Sequence, residues 1–97
     1  MWQLREGAHA VLADEGGAIL DERTGHWTLL APTAAAAVMI LLATTTEDQA
    51  AGQYATRYGI DAARATADVR TIAHVLMARG LAITEHAHHR RRWGWLR

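Results

Sequence analysis

Ninety-seven residues with a hydrophobic fraction of 51%, much of it Ala, make one compact domain with a core of modest volume. Residues 1–85 carry six arginines against ten carboxylates, net −4, while residues 86–97 carry Arg90, Arg91, Arg92 and Arg97 with no acid; a mildly acidic body with a basic tail is a poor match for a domain that grips nucleic acid over a whole face. No apolar run approaches the roughly 20 residues of a membrane helix, there is no basic-then-apolar secretion signal and no Cys, so the expectation is a cytoplasmic protein with no membrane partner.

In chain order, His9 to Asp14 reads as a short strand ahead of the turn Asp14-Glu15-Gly16-Gly17, where the glycines supply the positive φ of a tight hairpin. Ala18 to Glu22 returns, Arg23-Thr24-Gly25 turns again, and His26-Trp27-Thr28-Leu29-Leu30 forms a third strand rich in β-preferring residues. Pro32 stops that strand. Thr33 is expected to cap a first helix running to about Ala43, with Val38, Leu41 and Leu42 on its apolar face. Thr46-Glu47-Asp48-Gln49 fits a capping box for a second helix that Gly59 ends. Asp61 caps a third and longest helix, stopped by Gly80, on which Val69, Ile72, Ala73, Leu76 and Met77 face the core. Leu81-Ala82-Ile83 is an apolar return. Residues 86–97 show no periodicity and read as a flexible basic tail on a domain spanning 1–85. Strands then helices, in separate blocks, argue for an α+β fold with a three-stranded antiparallel sheet followed by three helices.

Three short signatures within that order carry a resemblance. They are Thr28-Leu29-Leu30-Ala31-Pro32-Thr33-Ala34-Ala35-Ala36, then Tyr58-Gly59-Ile60-Asp61, then Asp68-Val69 followed by Leu76 and Arg79-Gly80-Leu81. From Asp21 to Ala82 the chain resembles the PqqD-like recognition elements of ribosomal-peptide biosynthesis, and looks most like the stand-alone versions of lasso-peptide maturation. The resemblance implies a winged-helix-like fold that takes up a leader peptide, bearing Tyr and Pro anchors, as an added strand against the third strand and the third helix. It also implies two enzyme partners, a leader-cleaving cysteine protease and an ATP-dependent cyclase. Position by position, His26, Trp27, Thr28, Leu29 and Leu30 become the receiving strand, and the stretch from Arg64 to Val75 the opposite wall.

The residues themselves support a narrower statement. The strand from His26 to Leu30 contains no Pro and no permanent charge, the usual guards of a sheet edge; on that reading Leu30→Pro removes an amide of the open rim. Alternation puts Trp27 and Leu29 on one face and Thr28 and Leu30 on the other, with the core as the expected place of Trp27 and Leu29 and a groove as the alternative. On the third helix, Arg64, Asp68, Thr71 and Val75 share one flank, while Arg70 and His74 share another. Periodicity leaves open which flank faces the third strand. Asp68 and Arg70 either fix the register of a peptide by charge-assisted bonds or are solvated.

Catalysis has little footing: there is no Cys nucleophile, no Gly-x-Ser-x-Gly and no phosphate-binding Gly loop. No cofactor is expected. His86, His88 and His89 sit beside three arginines that repel a cation, so no metal site is expected either. The rival reading is a DNA-binding winged helix, but residues 61–79 carry a net charge of only +1, and nucleic acid is not an expected partner.

Overall fold

The computed structural model describes residues 2–84. Strand β1 (Trp2–Leu4) is followed by a meander of β2 (Ala8–Ala13), β3 (Gly16–Asp21) and β4 (His26–Leu30), then helices α1 (Pro32–Ala43), α2 (Glu47–Tyr58) and α3 (Ala62–Ala78), and a last strand β5 (Ala82–Thr84). Two antiparallel sheets result, β2-β3-β4 and the pair β1-β5. The α+β order read from the sequence is the order observed. β1 and its pairing with β5, from Trp2↔Thr84 to Leu4↔Ala82, are additions to it.

The β2–β3 turn is tighter than the sequence suggests. It consists of Asp14-Glu15 alone, and both glycines already belong to β3, paired as Ala13↔Gly16 and Leu12↔Gly17. Gly16 has φ +130°, and a Cβ there would stand 2.7 Å from the Leu30 carbonyl oxygen, so the close approach of β3 to the end of β4 requires glycine.

Helix α1 corrects another expectation. Its N-cap is Ala31, with no side-chain cap, and Pro32 occupies the first turn, so Thr33 lies inside the helix. Proline begins this helix because its missing N–H is one of those the first turn leaves unpaired in any case. Ala35, Ala36, Ala37, Val38, Ile40 and Leu41 are buried, which makes α1 the central helix; its alanines let the neighbouring elements approach closely.

The other two helices are capped as read. Thr46 Oγ1 accepts from the Gln49 amide at 3.1 Å, and Gln49 Oε1 accepts in return from the Thr45 amide, one residue before the cap itself. Asp61 Oδ1 accepts from the Arg64 amide at 2.8 Å. At the far end of α3, Leu81 N–H donates to Leu76 O and Gly80 N–H to Met77 O, with Gly80 left-handed at φ +68°. This Schellman closure turns the chain back into β5.

The core gathers Trp2, Ile19, Val38, Leu41, Tyr54, Val69, Leu76 and Leu81. On α3, Val69, Ala73 and Leu76 are buried as expected, and Ile72 packs against their edge. Met77, assigned to the same stripe, is 49% exposed; it sits at roughly 80° from Val69, past the edge of the covered face.

Candidate functional site

Strand β4 is bonded to β3 on one side and to no strand on the other among the described residues. Hydrogen-bond alternation decides which of its main-chain groups face outward. The two-residue turn closes on the pair Ala13↔Gly16, which exchanges both its bonds, so Gly16, Ala18 and Leu20 direct N–H and C=O toward β2. The bond from Glu22 N–H to Gly7 O, 2.9 Å, continues that alternation one step further. Gly17, Ile19 and Asp21 therefore face β4, where they engage Leu30, Thr28 and His26. The open rim consists of the N–H and C=O groups of Trp27 and Leu29. Leu30, expected at the rim, instead has its amide in the ladder with β3.

This rim is short at both ends. The Ala31 carbonyl is taken by the Ala35 amide at the start of α1, and the Gly25 amide is held by Asp21 O at 2.7 Å in the preceding turn.

Side chains follow the same alternation. Thr28 and Leu30 are half-buried on the inner face, whereas Trp27 is 56% and Leu29 82% exposed. The expectation that Trp27 and Leu29 belong to the core is thus overturned. Helix α1 packs on the inner face, with α2 and α3 packed against α1 and each other. Nothing among the described residues covers the outer face, where register aligns Val11, Ala18 and Leu29 in one row and His9, Leu20 and Trp27 in the next.

The side of α3 nearest β4 is fixed by Arg79, whose guanidinium donates to Thr28 Oγ1 at 3.3 Å. Arg64, Asp68, Thr71 and Val75 lie within roughly 80° of Arg79 around the helix, while Arg70 and His74 lie roughly 140–180° away. The structure brings the first four to the β4 side and leaves Arg70 and His74 on the opposite flank. Ile72, read from the sequence as core, and Arg79, read there only as part of the Arg79-Gly80-Leu81 signature at the helix end, stand on the near flank.

Two depressions mark this trough. One, of about 270 Å³, is lined by Asp21, Thr24, His26, Thr28, Arg79 and Leu81. The other, of about 220 Å³, lies beyond the end of β4 and is lined by Thr33, Ala34, Tyr54, Asp68, Thr71 and Ile72. β4 and α3 run in opposite directions along it, since Thr28 meets Arg79 while Thr33 lies near Asp68. A larger hollow of about 760 Å³ between the end of α1 and α2, lined by Ile40, Thr44, Gln49, Gln53 and Arg57 among others, shares no residue with the trough or the rim.

The electrostatics differ between the two ends. At the first, Arg23 bonds Asp21 through Nε at 3.2 Å and Nη2 at 3.3 Å and reaches Gly80 O at 3.3 Å, tying the β3–β4 turn to the end of α3. That contact with Arg23 holds the Asp21 carboxyl below its ordinary pKa. At the second, burial, followed by the charge of Asp68 and the nearby Tyr58, pushes the Tyr54 hydroxyl up, so it stays a neutral donor. No group of three or more His, Cys, Asp or Glu that could hold a metal ion occurs among the described residues. The histidines at 86, 88 and 89 lie outside those residues.

A protein-family model described as coenzyme PQQ synthesis protein D (PqqD) matches residues 16–82. The chain belongs to the PqqD family. Two solved structures share the fold of this PqqD-family chain. The first, described as lasso peptide synthetase B1 complexed with the leader peptide, is 27% identical with a TM-score of 0.75, over 84% of this chain and 96% of that one. The second, TbiB1 in complex with the TbiA(beta) leader peptide, is 15% identical with a TM-score of 0.73, over 82% and 93%. Among curated proteins none matches. No helix among the described residues of this PqqD-family chain is long and apolar enough to cross a membrane.

Proposed function

We propose that this PqqD-family chain is a non-catalytic adaptor that captures the leader segment of a ribosomally made precursor, a lasso peptide precursor, as a strand added to β4. The observation that carries this reading is the open rim of Trp27 and Leu29 beside a trough walled by α3. The described likeness to a lasso peptide synthetase B1 bound to a leader supports it.

The rim sets the energetics. Four main-chain bonds contribute about 0.5–1.5 kcal/mol each, net of water, against about 4–15 kcal/mol of lost freedom on association. Backbone pairing therefore places the guest, and side chains seated in the trough decide affinity. The hollow at Ala34, Tyr54, Asp68 and Ile72 offers apolar walls and a polar end, which suits an aromatic anchor such as the leader's Tyr. His26, Trp27, Thr28, Leu29 and Leu30 make the receiving strand, and Arg64, Asp68, Thr71 and Val75 with Ile72 and Arg79 the facing wall. The adaptor works in the cytoplasm and presents the precursor to a leader-cleaving cysteine protease and an ATP-dependent cyclase.

Titration of a synthetic leader peptide, with a fluorescent DNA duplex as control, tests the reading. Saturable binding of the leader that is weakened in Leu29→Pro is the expected result. Tight binding of the duplex with none of the leader would replace this function with that of a DNA-binding winged helix.

A further inference from the structure

We propose that Arg79 is a specificity residue of the trough, receiving a carboxylate side chain of the captured peptide at the guest position directly opposite Thr28. This rests on the strand-capture reading above and adds to it which side chain the guest must offer.

The inner face of the sheet carries the row Ala10, Ile19 and Thr28, set by the register of its three strands. A fourth strand on the open rim continues that row, because residues directly opposite each other across a ladder project to the same face. The next side chain in the row then enters the depression lined by Asp21, Thr24, His26, Thr28, Arg79 and Leu81.

The charge of that depression is one-sided. Arg79 makes a single side-chain bond, to a neutral hydroxyl, and has no carboxylate partner among the described residues. The guanidinium tips of Arg23 and Arg5 lie 3.6 and 3.9 Å from where a side chain on the adjacent Gly80 would begin. Against these three cations, the described lining of the depression offers one carboxylate, Asp21, already engaged by Arg23 through two side-chain bonds. The carbonyl end of α3 offsets part of the positive charge, and Gly80 O is itself bonded by Arg23. A guanidinium with free donors in a half-covered hollow binds a carboxylate in preference to an amide or an apolar group.

The opposite end of the trough supplies the contrast. There the charged wall residue is Asp68, beside the neutral Tyr54 hydroxyl. Arg79 and Asp68 are eleven residues apart on α3, about 16 Å, which an extended guest spans in about five residues. Unlike charges at the two ends oblige a guest with an acid for the Arg79 end to enter in one direction only.

An array of immobilised peptides tests this. It carries the leader sequence with each position replaced in turn by Asp, Asn, Lys and Ala, and is probed with the full chain and with Arg79→Gln and Arg79→Glu. Arg79 is exposed at the helix end, and thermal melts of both variants verify that they fold. The intact chain should prefer Asp over Asn at one position by about tenfold, the scale of one charge-assisted bond. Arg79→Gln should level that preference, and Arg79→Glu should turn it toward Lys at the same position and no other. Peptides bound by all three proteins with one unchanged pattern would overturn the role of Arg79 and leave strand capture standing. An intact chain that binds no peptide of the array would overturn strand capture and this proposal together.

Discussion

Trp2 and Trp27 are the same residue with opposite fates, and the two small sheets explain why. β1 and β5 are three residues each, yet they lie against the helices with Trp2 5% and Ala82 3% exposed. The β2-β3-β4 sheet is larger, but among the described residues it is covered on one face only, by α1, so Trp27 and Leu29 stand on its other side. Burial here is a property of the layer that covers a strand. The first sheet closes the domain by joining the two ends of the described chain; the second has an edge and a face that no other described residue covers.

Substitutions that treat the two sheets alike should expose the difference. Trp2→Ala should cost about 3–5 kcal/mol, as a large core truncation does, a sizeable part of the stability of a domain this small. Trp27→Ala should stay within about 1 kcal/mol by the same urea denaturation; equal losses would mean that the outer face is covered.

Within β4 the contrast narrows to neighbouring residues. Leu30→Pro removes an amide engaged by β3 and should cost about 2–3 kcal/mol. Leu29→Pro removes an outward amide and should leave the melting curve nearly intact while weakening leader binding up to about tenfold in a titration. The reverse pattern would place the rim on the other parity.

Away from both sheets, Asp61→Ala should cost about 1 kcal/mol through the lost cap of α3, read by thermal melting. The smallest effect concerns Asp21. Its folded pKa lies below the unfolded value of 3.8, so its contribution is complete above that value and disappears as the pH falls through the lowered one. The stability gap between the native chain and Asp21→Asn should therefore shrink between about pH 6 and about pH 3; a gap that widens with acid would contradict the pairing with Arg23.

The meander and the three helices were legible because their punctuation is local. Gly25, Gly59 and Gly80 take left-handed conformations where chain reversals need them, and Thr46 and Asp61 cap helices within three residues of themselves. β1 was invisible because a three-residue strand has no period, and its partner is some 80 positions away. The site was legible in part. Alternation showed that Trp27 and Leu29 share a face, but which face the helices cover depends on packing. The same holds for α3: spacing separated Arg70 and His74 from Asp68 and Val75, and only the contact between Arg79 and Thr28 turned one flank toward the strand.

A rim that stops after Trp27 and Leu29, closed off by the first turn of α1 and by the Gly25 turn, has a kinetic consequence. Few main-chain bonds must break for a visitor to leave, so its dwell time is governed by the one or two side chains it has seated, and differences among visitors appear chiefly in how fast they depart. Under the proposed function, such a holder would deliver its cargo by letting go, and an enzyme taking it over would need only to compete for the seated side chains.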